Sequence, residues 1–226
     1  MNLFRWRLAL AAFFIASIVS AHAAALVSNT PDQAYGDNMS FTVVSDNFSL
    51  GTSYNITGLR FWSIQDTAAA YRGQVYWSIQ SNSGGSPGAA LFSGTAAAAA
   101  SATGLSTGFG YAEFLFDIPV GFALGAGDYW LSLHNGPLSA TDPTEMLWET
   151  TSVGAGPTGQ YNDLTDAPDF GWIDTGNEHA FAIYGDASTT IPEPATWALL
   201  LGGLFAARAG RRARSSQRPF SSGSAS

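Results

Sequence analysis

The chain has 226 residues, nine Arg and no Lys against 17 acidic residues, and no cysteine. Without cysteine there is no thiol nucleophile, no thiolate zinc site and no disulfide, so a folded domain must rest on its core alone. Of the arginines only Arg60 and Arg72 lie between residues 25 and 190, against 16 acids, a net charge of −14 that argues against a nucleic-acid partner.

The N-terminus has Arg5 and Arg7, an apolar run Leu8–Val19, and then Ala21-His22-Ala23. A positive n-region, a short h-region and an A-x-A site make a secretory signal peptide over residues 1–23. Cleavage by signal peptidase is expected after Ala23, with Ala25 as the second candidate. The run is shorter than the roughly 20 apolar residues a membrane span needs.

Residues 24–186 form the predicted domain. They are rich in Gly, Ser, Thr and aromatics and lack any long 3.6-residue apolar period. Short alternating runs separated by Gly, Pro, Asn and Asp predict an all-β fold. In Gln74–Gln80, Val75, Trp77 and Ile79 share one face. In Tyr111–Ile118, Ala112, Phe114, Phe116 and Ile118 share one face, and in Tyr129–His134 so do Tyr129, Leu131 and Leu133. Further strands are expected near Phe41–Ser45, Asn55–Gln65, Ala89–Ser93, Met146–Thr150 and Ala180–Gly185. Ala96–Ala100 is too short for a helix and reads as an edge strand or loop. Eight or so strands predict a two-layer antiparallel β-sandwich of jelly-roll type. Phe61-Trp62-Ser63-Ile64-Gln65 nearly repeats as Tyr76-Trp77-Ser78-Ile79-Gln80, which predicts two neighbouring strands with Trp62 and Trp77 inward and Phe61 and Tyr76 on the opposite face.

Ala187–Thr190 is a short polar linker. Residues 191–214 then read Ile191-Pro192-Glu193-Pro194, an apolar run Ala195–Ala207, and Arg208, Arg211, Arg212 and Arg214; a polar tail, 215–226, follows. The 13-residue apolar run is about 20 Å long as a helix, against a hydrocarbon core of about 30 Å, a marginal transmembrane helix. The prolines hold the preceding segment extended. The basic cluster marks the cytoplasmic end.

Ile191-Pro192-Glu193-Pro194-Ala195-Thr196-Trp197-Ala198-Leu199-Leu200 resembles the PEP-CTERM sorting signal of Gram-negative bacteria. The resemblance covers about the last 35 residues; the tail beyond Arg214 is longer than in many members. It implies recognition by an exosortase at Pro192, Glu193 and Pro194, an inner-membrane-anchored precursor, and delivery to the cell surface or an exopolysaccharide matrix such as a biofilm. The β-rich middle region looks like ectodomains common among such proteins, which carry no activity over.

Candidate chemistry is sparse. Gly104–Gly108 and Gly84–Gly88 fit G-x-S-x-G, but a nucleophile elbow needs a strand before it and a helix after it. His134 and His179 have no metal-ligand spacing and read as ordinary strand histidines. Asp163, Asp166 and Asp169, with Asn162 and Asp174, supply oxygen ligands of the kind calcium takes, giving a candidate structural calcium site but no other cofactor. Tyr76, Trp130, Trp148 and Trp172 are the candidate glycan-stacking residues. The expected function is non-enzymatic: an exported surface or matrix protein with polysaccharide as its partner. The alternative is a secreted hydrolase of matrix polysaccharide, which would need two convergent acids about 5–10 Å apart beside a groove.

Overall fold

Alternating apolar and polar residues bury one face of each strand, and two such faces closed on each other give this domain its core. A computed structural model describes residues 24–140, 144–154, 157–163 and 171–188. The expected signal peptide, the sorting segment 191–214 with the tail 215–226, and Asp166 and Asp169 lie outside the described residues.

Fourteen strands occur among the described residues: β1 (Ala24–Asn29), β2 (Gly36–Asn38), β3 (Thr42–Leu50), β4 (Tyr54–Gln65), β5 (Val75–Asn82), β6 (Pro87–Ala96), β7 (Ala100–Ser106), β8 (Ala112–Leu124), β9 (Gly127–Asn135), β10 (Met146–Thr151), β11 (Gln160–Asp163), β12 (Ile173–Asp174), β13 (Glu178–His179) and β14 (Phe181–Ala187). A single 3₁₀ turn, Ala68–Ala70, is the only helical element described. The fold is all-β, as expected.

The strands form two sheets. In the first, β1, β14, β4, β8 and β7 lie side by side; β10 joins the end of β4 and carries β2 and β13. In the second the order is β12, β11, β3, β9, β5, β6. Every ladder between these strands is antiparallel. The chain crosses between sheets at β2–β3, β3–β4, β4–β5, β6–β7, β8–β9, β9–β10, β10–β11 and β12–β13, so most contacts are long-range.

Phe61, Phe116, Ile118, Phe181 and Ile183 from the first sheet meet Val44, Phe48, Ile79, Leu131 and Leu133 from the second in one buried cluster. Phe61 stacks on Phe116 at 4.8 Å between centroids and 9° between planes, and such aromatic pairs contribute about 0.5–1.5 kcal/mol beyond their buried area. The alternation expected for β5, β8 and β9 holds on this face: Val75, Ile79, Phe114, Phe116, Ile118, Leu131 and Leu133 are core.

The near-repeat is a correction. β4 and β5 lie in different sheets. Phe61 is the core residue and Trp62 is half-buried on the outer face, whereas Trp77 packs on the core. The two segments are therefore one residue out of phase in burial. What they share is local: Gln65 Nε2 donates to Ser63 Oγ at 3.0 Å and Gln80 Nε2 to Ser78 Oγ at 3.2 Å.

Asp32–Asn38 forms a strap along β10, with Gly36 opposite Glu149, Asp37 opposite Trp148 and Asn38 opposite Leu147. A Cβ at Gly36 would lie 2.8 Å from Leu147 Cβ and 2.9 Å from the Trp148 carbonyl, so glycine permits this approach.

Candidate functional site

The site grows from the outer face of the first sheet. Because Leu59 and Phe61 point into the core, Ile64 emerges on the far side, and register places Leu147 and Glu113 on either side of it. Ile64 and Leu147 are buried but do not belong to the central core cluster. They form a floor beneath the strap and beneath the loop between β7 and β8.

Under the strap lie two glutamates. Glu113 and Glu149 are 1% and 0% exposed. Gln33 bridges them: its backbone N–H donates to Glu149 Oε1 at 3.0 Å and its Nε2 to Glu113 Oε2 at 2.8 Å. Gln33 is the one described non-glycine residue at positive φ, 56°, a conformation that costs an ordinary side chain about 1–2 kcal/mol. Burial, and then the charge of Glu113, push the Glu149 carboxyl up to about 8. At neutral pH Glu149 therefore keeps its proton beside Glu113. Thr150 holds the strap further, donating from its N–H to the Tyr35 carbonyl at 2.9 Å and from Oγ1 to Asp32 Oδ1 at 3.0 Å.

Beside this latch opens an apolar cleft of ≈ 300 Å³, lined by Ala34, Tyr35, Ile64, Phe109, Tyr111 and Leu147. Phe109 is 79% exposed and Tyr35 55%. The turn that presents Phe109 is fixed by Thr107, which is 4% exposed. Thr107 Oγ1 accepts from the N–H groups of Phe109 and Tyr111, both at 3.3 Å, and its N–H donates to the Tyr111 carbonyl at 2.9 Å. Tyr111 OH donates to Glu145 Oε2 at 3.3 Å. The charge of Glu145 is the main cause raising the Tyr111 phenol, and Asp66 adds to it.

A second buried polar cluster joins the sheets. His179 Nε2 lies 2.9 Å from Asp37 Oδ2 on the strap and its Nδ1 3.5 Å from Asp46 Oδ2 on β3. The His179 N–H also donates to Asp46 Oδ2. Trp148 packs over the imidazole at 4.8 Å. Burial disfavours the imidazolium, but the two carboxylates outweigh it and lift His179 to about 9. Burial, with Asp46 beside it, raises Glu178 to about 7. His179 is thus no ordinary strand histidine but a buried cation held between two acids. His134 is buried too, with Nδ1 3.1 Å from the Gly136 carbonyl, and its desolvation lowers its pKa.

The candidate glycan-stacking residues are not brought together. Trp130 and Trp148 are corrections, at 1% and 0% exposed. Trp148 lies in the core with its Nε1–H donating to the Ala180 carbonyl at 2.8 Å. Trp130 fills the outer side of the second sheet with its Nε1–H donating to Asn82 Oδ1 at 3.2 Å. Tyr76 and Trp172 are half-buried, Tyr76 on β5 and Trp172 just before β12. Among the described residues the exposed rings are Tyr35 and Phe109, which lie outside the alternating runs, with the half-buried Tyr111 beside them; the sequence sign was Phe109 between Gly108 and Gly110.

Asp163 ends β11, and Asp174 is turned to its own hairpin, accepting from Thr158 Oγ1 and from the Gly176 N–H. Among the described residues no three His, Asp or Glu side chains converge as a metal site. Gly104–Gly108 spans the end of β7 and a turn, and Gly84–Gly88 the β5–β6 turn, so neither precedes a helix. No family model matches the chain, and no curated protein matches it.

Proposed function

We propose that this chain is an exported cell-surface or matrix protein, processed by an exosortase, whose β domain binds polysaccharide without catalysing a reaction on it. The observation that carries the binding reading is the open cleft with Tyr35 and Phe109 at its rim. Exposed rings beside an apolar floor suit the faces of sugars. The hydrolase alternative has less support: the paired acids Glu113 and Glu149 are buried beneath the strap instead of flanking an open groove.

The fold is assigned as a jelly roll. Its support is the order β1-β14-β4-β8 in one sheet facing β3-β9-β5-β6 in the other, with the chain passing between them. Export is supported by the sequence at both ends. Cleavage after Ala23 keeps the pairs Ala24–Gly185 and Ala25–Tyr184, whereas cleavage after Ala25 would remove them. β14 ends at Ala187, before the Pro192-Glu193-Pro194 motif.

Two measurements test the proposal. In an exosortase-positive host, Glu193→Ala should leave the C-terminal segment attached; an unchanged mature mass would overturn the processing assignment. A glycan array probed with the secreted protein should show polysaccharide binding with no release of shorter sugars. A blank array removes the binding function, and shortened products restore the hydrolase.

A further inference from the structure

The cleft has a chemical bias beyond its flat rings. β4, β8 and β10 end together here. Gln65 is paired with both Ala112 and Met146, so Asp66, Tyr111 and Glu145 meet one position beyond. Both acids are exposed. Among the described residues no basic side chain lines the cleft. Arg60, one of the domain's two arginines, is held by Asp117 at 2.7 Å. The domain as a whole is strongly acidic. The π faces of Tyr and Phe carry partial negative charge and attract cations. Ring faces and carboxylates therefore favour the same ligand charge, and an anionic polymer is repelled.

We propose that the cleft walled by Tyr35, Phe109 and Tyr111, with Asp66 and Glu145 at its edge, binds the protonated amine of an amino-sugar residue in a cationic polysaccharide. This rests on the reading of the domain as a polysaccharide binder and names the class of polysaccharide. The sugar's carbon face lies on the exposed Phe109 ring and its ammonium group points to the Glu145 carboxylate. Both aromatic arms are preset. Thr107 fixes the Phe109 turn through three hydrogen bonds, and Thr150 fixes the Tyr35 backbone. Little ordering is left for the ligand to impose, which favours affinity. A cleft of ≈ 300 Å³ is at the small end of ligand sites, matching one or two sugar rings better than the surface of a folded protein.

The test uses the processed, secreted protein in calorimetric titrations with a glucosamine hexamer, the N-acetylglucosamine hexamer and hexalysine. The glucosamine hexamer should bind more tightly than the acetylated form, and rising salt should weaken only the former. Phe109→Ala, at a side chain with no role in the core, should weaken both sugars by about 10-fold. Glu145→Gln should weaken the amine form by about 5-fold and leave the acetylated form unchanged. Equal affinity for the two sugars, or no effect of Glu145→Gln, overturns the amine assignment while the polysaccharide reading stands. Binding of hexalysine as tight as that of glucosamine overturns the sugar assignment. Failure of both hexamers, together with a blank glycan array, overturns the inference and the reading beneath it.

Discussion

Replacing Glu149 by Gln should make the domain less sensitive to alkaline pH. Glu149 is 0% exposed, is pushed up to about 8 and lies against Glu113. The folded state thus holds a proton that the unfolded chain, with its carboxyl near the ordinary 4.5, releases. The resulting stabilisation is full below about 4.5 and is lost as pH rises through about 8. Each pKa unit corresponds to about 1.4 kcal/mol. After relaxation of a buried site, a loss on the order of 3 kcal/mol between pH 5 and pH 9 is expected, or roughly 6–12 °C in Tm for a domain of this size. Gln keeps the shape and an oxygen for the Gln33 N–H and cannot ionise. Scanning calorimetry of both proteins from pH 5 to pH 9 should show wild type falling relative to Glu149→Gln. Subtraction removes the shared contributions of His179 and Glu178, which lose stabilising protons in overlapping ranges. Parallel Tm curves would refute the latch as a proton-holding pair.

Other perturbations test the buried clusters. His179→Gln leaves Asp46 buried without its cation and should cost about 3–5 kcal/mol at pH 7 in urea unfolding; a loss under 1 kcal/mol would show that the imidazole carries no charge. In the wild type, the His179 contribution is present below about pH 6.5 and disappears as pH passes about 9. Gly159→Ala places a Cβ 2.5 Å from His179 Cε1 and Nδ1 and 2.9 Å from the Asn177 carbonyl. It should cost about 1–3 kcal/mol, and an unchanged Tm would mean that the loop over His179 yields freely.

Alternation made the core legible wherever a strand has one wet face. Along β8 it separates Phe114, Phe116 and Ile118 from Leu115 and Asp117. It fails where both faces are covered. On β9, Trp130, Ser132 and His134 are as buried as Leu131 and Leu133, and every residue of β10 is buried. Such strands turn large polar-tipped residues inward on both sides, which is why Trp130 and Trp148 read as exposed aromatics from sequence and are not. The Phe61–Trp62 phase was hidden for another reason. β4 carries an irregularity between Ile56 and Gly58, and a shift of one residue reverses every face beyond it. The glutamate latch left still less trace. Glu113 and Glu149 occupy outward positions on their strands, where an acid ordinarily meets water, and only the strap makes those positions interior.

That strap couples the parts. Asp32 is tied to Thr150, Gln33 to Glu113 and Glu149, and Asp37 to His179, which Asp46 and Glu178 flank. Tyr35 projects from between these anchors. Three of the groups at the anchors, Glu149, Glu178 and His179, lose a proton between about 7 and 9. Raising pH therefore makes the charge beneath the segment that forms one wall of the cleft more negative, as two glutamates ionise and the imidazolium is lost. Phe109 stands on the hydroxyl of Thr107, which does not titrate in that range. The two walls thus differ in kind: the Tyr35 segment, besides its neutral bonds to Thr150, rests on buried titratable groups, whereas the Phe109 turn is held by neutral hydrogen bonds alone. Alkaline pH should accordingly loosen the Tyr35 side while the Phe109 side keeps its place, because only the former rests on buried groups whose charge must change.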